Sequence, residues 1–491
     1  SIITGAIIAV VKPTDVFDRD AEWDSLQRFA TSDLRGSALG LVYGRRRQGK
    51  TYLLEALAEA TGGLYIMALQ QSETQNVARF ADAYQRARAA VGTAVFSGWE
   101  EAFSALLSLG AGAENPVLVV VDEFPYLLDS APELGSVLQN LFAPRSAVVT
   151  RYRTRLILCG SALSTMRRLL AGTAPLRGRQ SLELMVHPFS FRDAVRFWDV
   201  TEPELAVKLH ALVGGTPAYR SMSGSAPKSV RSFDLWVAST LLDPASAMFR
   251  EGRILLAEEE RVREETAYLS VLAAISAGAT RVSEIAAAVG RPVTSLSHTL
   301  RVLTEAQLVA PLADAIKGRR TTYRVADPML RFHQLVIAPN EARLVHRRGS
   351  QVWSEVADTV SARIYGPHFE ELARNWCEEQ ASKQTLGGVA SKVAPTTVNC
   401  PEHRGGHELD VVVVETSAQQ ADKVIAIGEA KWHSSPCGME QVRRLAHVRA
   451  LLGAEAAKLL VFSRGGFTDG LRGQSGADVE LVGLDRLLEG D

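Results

Sequence analysis

Cysteine is scarce. Its four residues among 491, Cys159, Cys377, Cys400 and Cys437, are too scattered to form a disulfide framework. That excludes a small disulfide-stapled scaffold and predicts a reducing, cytoplasmic setting. An excess of charge of one sign is also missing: 54 Lys and Arg face 55 Asp and Glu, for a net charge of −1. No global field therefore draws nucleic acid or an anionic membrane, and any such contact must rest on a local patch. No apolar run reaches the roughly 18 residues of a membrane span. The apolar stretch from Ile2 to Val11 has no basic residue before it and no clear cleavage site after it. It reads as a strand or loose leader rather than a signal peptide. Long repeats and low-complexity segments are absent too. What remains is 46% hydrophobic and 22% charged, an ordinary globular composition, at a length that suggests about three domains.

Residues from about 15 to 235 read as alternating strands and helices. Leu39 to Tyr43, Val117 to Val121 and Arg155 to Cys159 are short apolar strands, and Tyr52 to Ala60 is a helix. A run such as Val117 to Val121 fits a strand buried on both faces, so the fold class is α/β with a parallel sheet. From about 236 to 345 the pattern changes to short helices and a basic hairpin. Residues 340 to 350 form the expected linker. From 350 to 491 a helix at Ser361 to Gln380 precedes strands at Leu409 to Glu415 and Lys423 to Glu429. A helix at Met439 to Leu452 and a strand at Lys458 to Phe462 follow.

Gly44-Arg45-Arg46-Arg47-Gln48-Gly49-Lys50-Thr51 fits G-x-x-x-x-G-K-[ST] in full, between a predicted strand and a predicted helix. Glycine lets successive backbone N–H groups face phosphates, and the helix N-terminus adds partial positive charge. Gly44, Arg45, Gln48, Gly49, Lys50 and Thr51 are thus the candidate ATP-binding residues, with Lys50 reaching the phosphates and Thr51 holding Mg²⁺. The alternative is a Gly-rich turn with a chance lysine. Against it stands the strand ending in Asp122-Glu123, where Asp122 would join the Mg²⁺ shell and Glu123 would polarise the attacking water.

Further segments carry a resemblance. Phe17-Asp18-Arg19-Asp20-Ala21-Glu22 resembles the Gly-Arg-Glu segment of AAA-type and STAND-type ATPases, with Asp18 in place of Gly. Gly160-Ser161 is similar to their sensor position. Pro175-Leu176-Arg177-Gly178-Arg179 and Gly214-Gly215-Thr216-Pro217-Ala218-Tyr219 resemble the Pro-Leu-Tyr-Gly-Arg and Gly-Gly-x-Pro-x-Tyr segments of the archaeal-type ATPase family. The resemblance implies an arginine finger or sensor at Arg179, with Arg177 competing, and a lid contact to nucleotide at Pro217. It also implies self-association.

The middle segment resembles a winged helix-turn-helix. Glu265 to Ala277, Val282 to Gly290 and Thr294 to Ala306 make its helices, and Leu296, Leu300 and Leu303 mark the buried face of the third. Thr294, Ser295, Ser297, His298 and Arg301 would face DNA, while Lys317, Arg319 and Arg320 at the hairpin tip would reach phosphates. A module that only packs against its neighbours is the alternative.

Asp410 opens a run of four valines, and Glu429-Ala430-Lys431 closes the next strand. Two carboxylates at neighbouring strand ends can share a divalent ion, with the lysine beside an attacking water. The spacing resembles the PD-(D/E)xK restriction-endonuclease-like fold, which implies catalytic and metal roles for Asp410 and Glu429 and a catalytic Lys431. It further implies a helical acid at Glu370, with Glu371 as rival, and an accessory Gln441. Cys400, His403 and His407 before Asp410, with His433 and Cys437 after Lys431, could close a zinc site. Their spacing fits no strong zinc signature, and solvated loop residues are the plainer reading.

Taken together, the sequence predicts an ATP- and Mg²⁺-dependent protein that binds DNA and cleaves it. The alternatives are an ATP-controlled assembly switch and a DNA-binding regulator with an inactive nuclease fold.

Overall fold

The computed structural model describes residues 10–88, 94–172, 174–257, 266–318, 320–417, 420–474, 476 and 478–491. Most of the apolar stretch from Ile2 to Val11 lies outside them. The chain forms two compact units, Ser1–Pro188 and Phe189–Asp491.

The first unit is built on five parallel strands, β1 (Ala38–Tyr43), β2 (Leu64–Met67), β3 (Val117–Asp122), β4 (Thr154–Gly160) and β5 (Gln180–Met185). Their order is β2-β3-β4-β1-β5. Alternation decides which side chain meets which helix layer. Leu39, Leu41, Val119, Val121, Leu156 and Leu158 join one apolar cluster, and Val42, Leu118, Val120, Ile157 and Cys159 join the other. Because both faces are covered, β1 and β4 are buried along their whole length. All five strands run the same way, so the segments after β1, β3 and β4 converge at one edge.

In the second unit, helix Pro203–Val213 and the helical run Val230–Trp236 share one apolar cluster with Phe332, Trp353, Phe369 and Val411. The compact units divide after Pro188, inside the expected ATPase-and-lid segment, because the apolar faces of the lid helices are covered from further along the chain. The expected linker at 340–350 is instead two helix ends joined by a three-residue turn at His346 to Arg348. Ala338–Val345 is a helix with Leu344 fully buried, and the next helix starts at Gly349, ahead of the predicted Ser361. An Arg343–Glu355 ion pair of 2.7 Å ties the two together.

Helices Thr266–Ser276, Val282–Val289 and Val293–Glu305 are followed by an antiparallel pair, β6 (Val309–Ala313) and β7 (Thr321–Val325). The C-terminal sheet contains β8 (Lys392–Cys400), β9 (Gly405–Ser417), β10 (Gln420–Lys431), β11 (Lys458–Ser463) and β12 (Val479–Val482), in the order β12-β11-β10-β9-β8. The β8/β9 and β9/β10 pairs are antiparallel, and the other two are parallel. Helix Met439–Leu451 makes the crossover from β10 to β11. Among the described residues no helix is long and apolar enough to cross a membrane.

His210 Nδ1 lies 2.9 Å from Nε2 of the buried His368. Burial pushes His210 down to about 4, despite the nearby Glu371, and burial with the neighbouring His210 pushes His368 well below the ordinary histidine value. Unfolding releases both rings to values near 6.5, so the unfolded chain binds more protons in acid. Stability should be full above pH 6.5. It should fall by up to ~1.4 kcal/mol per pH unit for His210 between there and pH 4. Urea midpoints at pH 7 and pH 5 check this, and His210→Gln should flatten the difference.

Candidate functional site

The loop after β1 is shaped by backbone constraints. A Cβ on Gly44 would sit 2.3 Å from the carbonyl oxygen of Val186, so only glycine fits. Gly49 has φ +84, in the left-handed region that glycine enters freely. Arg47 takes φ +68 without that freedom, a local strain of the kind found at ligand sites. Lys50, Thr51 and the helix they open follow directly. The Lys50 ammonium donates to the carbonyl of Arg45 at 2.9 Å. Burial lowers its pKa, while Asp122 and Glu123 favour its charged form.

Asp122, at the end of β3, is buried and accepts from the Thr51 hydroxyl and the Tyr65 phenol, both at 2.7 Å on Oδ2. Its Oδ1 accepts the Glu123 N–H at 2.8 Å. Glu123 takes φ +52, and its Oε2 accepts from the Ser161 hydroxyl at 3.0 Å. Ser161 follows β4, so the expected sensor segment does reach the acidic pair. Burial and the neighbouring Asp122 raise the Glu123 pKa. Thr51 and Asp122 are thus already paired where a divalent ion would be shared, and Glu123 stands beside them, suited to taking a proton from water.

Two contributors were not assigned roles from the sequence. Arg19 is buried at φ +62 and donates to the carbonyls of Gln48 at 3.2 Å and His187 at 2.7 Å, bracing the loop from behind. Its place in the Asp18-Arg19-Asp20 segment was the available signal. Tyr65, on β2, had none.

Arg179 is not brought to this edge. The register pairs Leu39 with Gln180 and Tyr43 with Met185, which sets Arg179 level with the start of β1. The loop at Gly44 lies about 17 Å along the strands, at the opposite end of the sheet. The Arg179 guanidinium points to the carbonyl of Phe142 at 3.5 Å, and that of Arg177 to Gly172 in its own loop. A role for Arg179 within one chain is therefore excluded by strand direction, and only a neighbouring copy could use it. If a neighbouring copy does use it, Arg179→Ala should bind ATP yet hydrolyse it roughly 10³-fold more slowly, and mixing with Lys50→Ala protein should restore activity at shared interfaces. Wild-type turnover by the variant would remove Arg179 from the chemistry. Pro217 begins helix Ala218–Ser223 in the second unit.

On helix Val293–Glu305, Leu296, Leu300 and Leu303 are buried, whereas Thr294, Ser295, Ser297, His298 and Arg301 are exposed. The hairpin tip departs from expectation. The Lys317 ammonium donates to the carbonyl of Thr397 on β8 at 2.9 Å, and Asp314 accepts from Thr396 at 2.7 Å. Lys392 returns a bond to the Asp314 carbonyl at 2.8 Å. Lys317 is thus committed to a protein carbonyl because the tip docks on the edge strand. Arg320 is exposed, and Arg319 lies outside the described residues.

The C-terminal acids do converge. Asp410 lies within β9 rather than at its start, and Val411 pairs with Gly428, which sets Asp410 beside Glu429. Asp410 Oδ2 accepts the Ala430 N–H at 2.8 Å. Lys431 and Arg444 both pair with Oε1 of the buried Glu429, while its Oε2 is buried without a hydrogen-bond partner. Glu370 faces the same group: burial and Asp410 push it up to about 7, and burial and Glu429 push Asp410 up to about 6. Glu371 turns away into a 2.7 Å ion pair with Arg324. Gln441 caps its own helix through the Gly438 N–H. Arg444, fifteen residues beyond Glu429, had no local signal in the sequence.

The zinc candidates are redistributed. Cys400, His403 and His407 come together with His447. His433 is exposed, and Cys437 is buried next to Ser463, so neither belongs to that group.

Several known proteins resemble this chain. It is 25% identical over 398 residues to an uncharacterized protein of Methanocaldococcus jannaschii, which covers 80% of this chain and 82% of that one. A Walker-type ATPase of Pyrococcus abyssi superposes with a TM-score of 0.48 at 21% identity, covering 65% of this chain and 96% of that one. The ORC2 protein of Aeropyrum pernix, in ADPNP–ADP complexes, gives a TM-score of 0.42 at 17% identity, with coverage of 71% and 97%. Residues 16–219, which hold the Gly44–Thr51 loop and the Asp122–Glu123 pair, match the family model of an ATPase domain predominantly from Archaea.

Proposed function

We propose that this chain is an ATP-hydrolysing, DNA-binding protein whose C-terminal domain cleaves DNA with a divalent metal. The observation that carries the first part is the meeting of Lys50, Thr51, Asp122, Glu123 and Ser161 at one sheet edge. In that arrangement Lys50 and the loop amides bind phosphate oxygens, Thr51 and Asp122 hold the ion, and Glu123 takes the proton of the attacking water. Mg²⁺, when bound, neutralises phosphate charge. The functional division is ATPase with lid (1–235), winged helix (236–345) and nuclease-like domain (350–491). ATP use in trans through Arg179 makes the working form an oligomer.

Cleavage is supported by Glu370, Asp410, Glu429 and Lys431. A buried carboxylate oxygen without a protein partner, beside two acids of raised pKa, is a ligand set suited to a divalent cation. The asymmetry is useful: Asp410 and Glu429 would hold the ion, and Lys431 would steady charge on the phosphate. The test is purified protein on linear, circular, forked and single-stranded DNA, with and without ATP and Mg²⁺. Metal-dependent cutting and DNA-stimulated hydrolysis are expected. If no substrate is cut with any metal, the nuclease part fails.

DNA contact would fall to the exposed face of helix Val293–Glu305 rather than to Lys317. Arg301→Ala with His298→Ala should weaken binding and flatten its salt dependence by about one unit per lost phosphate contact. Lys317→Ala should leave the slope unchanged. The docking of the hairpin tip on β8 favours one second reading, a regulator whose helical module is architectural. A wild-type slope in the Arg301/His298 variant would select it.

A further inference from the structure

We propose that the C-terminal domain carries a structural zinc site made by Cys400, His403, His407 and His447, distinct from the acidic centre. The ligands come from separate elements. Cys400 ends β8, His403 lies in the turn, His407 is on β9, and His447 is on helix Met439–Leu451. One donor atom from each lies within 4.8 Å of all the others.

Two of the donor separations are already close to those across a bound ion. The buried Cys400 sulfur is 3.1 Å from His403 Nδ1 and 3.3 Å from His447 Nε2. A zinc ion with ordinary bond lengths to one thiolate and three imidazoles separates sulfur from nitrogen by roughly 3.5 Å. The three imidazole rings stand edge-to-face with centroids 5.1, 5.3 and 5.5 Å apart, so none stacks over another's nitrogen. His407 Nε2 is buried with no hydrogen-bond partner, an unmet acceptor or donor that a metal would satisfy.

Without an ion the cluster is poorly satisfied. The thiol can donate to one facing nitrogen and its sulfur can accept from the other, but His407 Nε2 gets nothing. With zinc, Cys400 gives up its proton and all four atoms become ligands. One soft thiolate with three imidazoles suits zinc, and four protein ligands close the shell, which marks a structural rather than a hydrolytic ion.

Its position gives the ion a task. It would clamp the β8–β9 hairpin to the crossover helix. That helix presents Arg444, three residues before His447, to Glu429 and to the carbonyl of Glu408. The clamp does not depend on the nuclease reading.

The experiment uses the full chain. Elemental analysis after gel filtration should give one zinc per chain. Cys400→Ser and His447→Ala should lose it, whereas His433→Ala, Cys437→Ser and Asp410→Ala should keep it. Chelation followed by cobalt should produce the visible absorption of a tetrahedral ion with one thiolate charge-transfer band, absent in Cys400→Ser. Should a variant fail to fold, chelated wild-type protein still decides: its melting temperature should drop and recover with zinc. Metal-free wild-type protein that takes up neither zinc nor cobalt would overturn the proposal. So would zinc retained in both ligand variants.

Discussion

Lys50→Ala should abolish ATP hydrolysis and weaken nucleotide binding, whereas Glu123→Gln should leave binding intact and slow turnover by about 10²- to 10⁴-fold. The two differ because the side chains sit differently. Lys50 is buried under its own loop, held by the Arg45 carbonyl with Asp122 and Glu123 nearby, so its charge is aimed where phosphates would lie. Removing it deletes that charge and leaves two acids facing an anionic ligand. Glu123 does not share the Thr51–Asp122 pair. Its contact is the Ser161 hydroxyl, so the amide replacement keeps shape and ion shell and loses only proton acceptance. Because the Glu123 pKa is raised, wild-type turnover should fall on acidification at a pH above the ordinary carboxylate range. Isothermal binding and phosphate release, measured for both variants, check the split. Near-normal turnover in both would remove this loop from the chemistry.

Asp410→Ala, Glu429→Ala and Lys431→Ala should each reduce DNA cleavage at least ~10²-fold while ATP hydrolysis persists. Three acids meet in a poorly solvated patch, and two have raised pKa values because burial, and then the neighbouring acids, disfavour their negative charge. Cleavage should rise with pH between about 6 and 7, as Asp410 and Glu370 lose protons and can serve a cation. The stability effect has the opposite sign. A carboxylate whose folded pKa is raised loses stability as pH climbs from the unfolded value through the folded one. Glu370→Gln should therefore raise the melting temperature at pH 8 in the absence of metal, even as it removes cutting. A variant that is more stable yet inactive would separate chemistry from folding. If the three alanine variants cut like wild type, the acidic centre is not the nuclease site.

Much of the first unit was legible because its signals are local. A phosphate loop is eight consecutive residues, and a strand buried on both faces is a continuous apolar run. β1, β3 and β4 accordingly lie where such runs predict them. The Glu429–Lys431 pairing was equally readable, since two residues apart on a strand means one face. The linker at 340–350 misled because its charges suggest solvent, while single residues such as Leu344 carry the packing.

By itself, the sequence determined the Gly44–Thr51 loop, the acidic end of β3 and the alternation that makes the first sheet parallel, all of them patterns within a few residues. Only the tertiary structure decided which distant groups meet. It sent Arg179 to the far end of the sheet through the β1/β5 register, and it bound Lys317 to the edge of β8. It also brought Arg444 to Glu429 and His447 to Cys400, across separations of 15 and 47 residues. The physical reason is the crossover helix between β10 and β11: it returns the chain over the sheet, so its exposed-looking polar residues face strands that no sequence window connects them to.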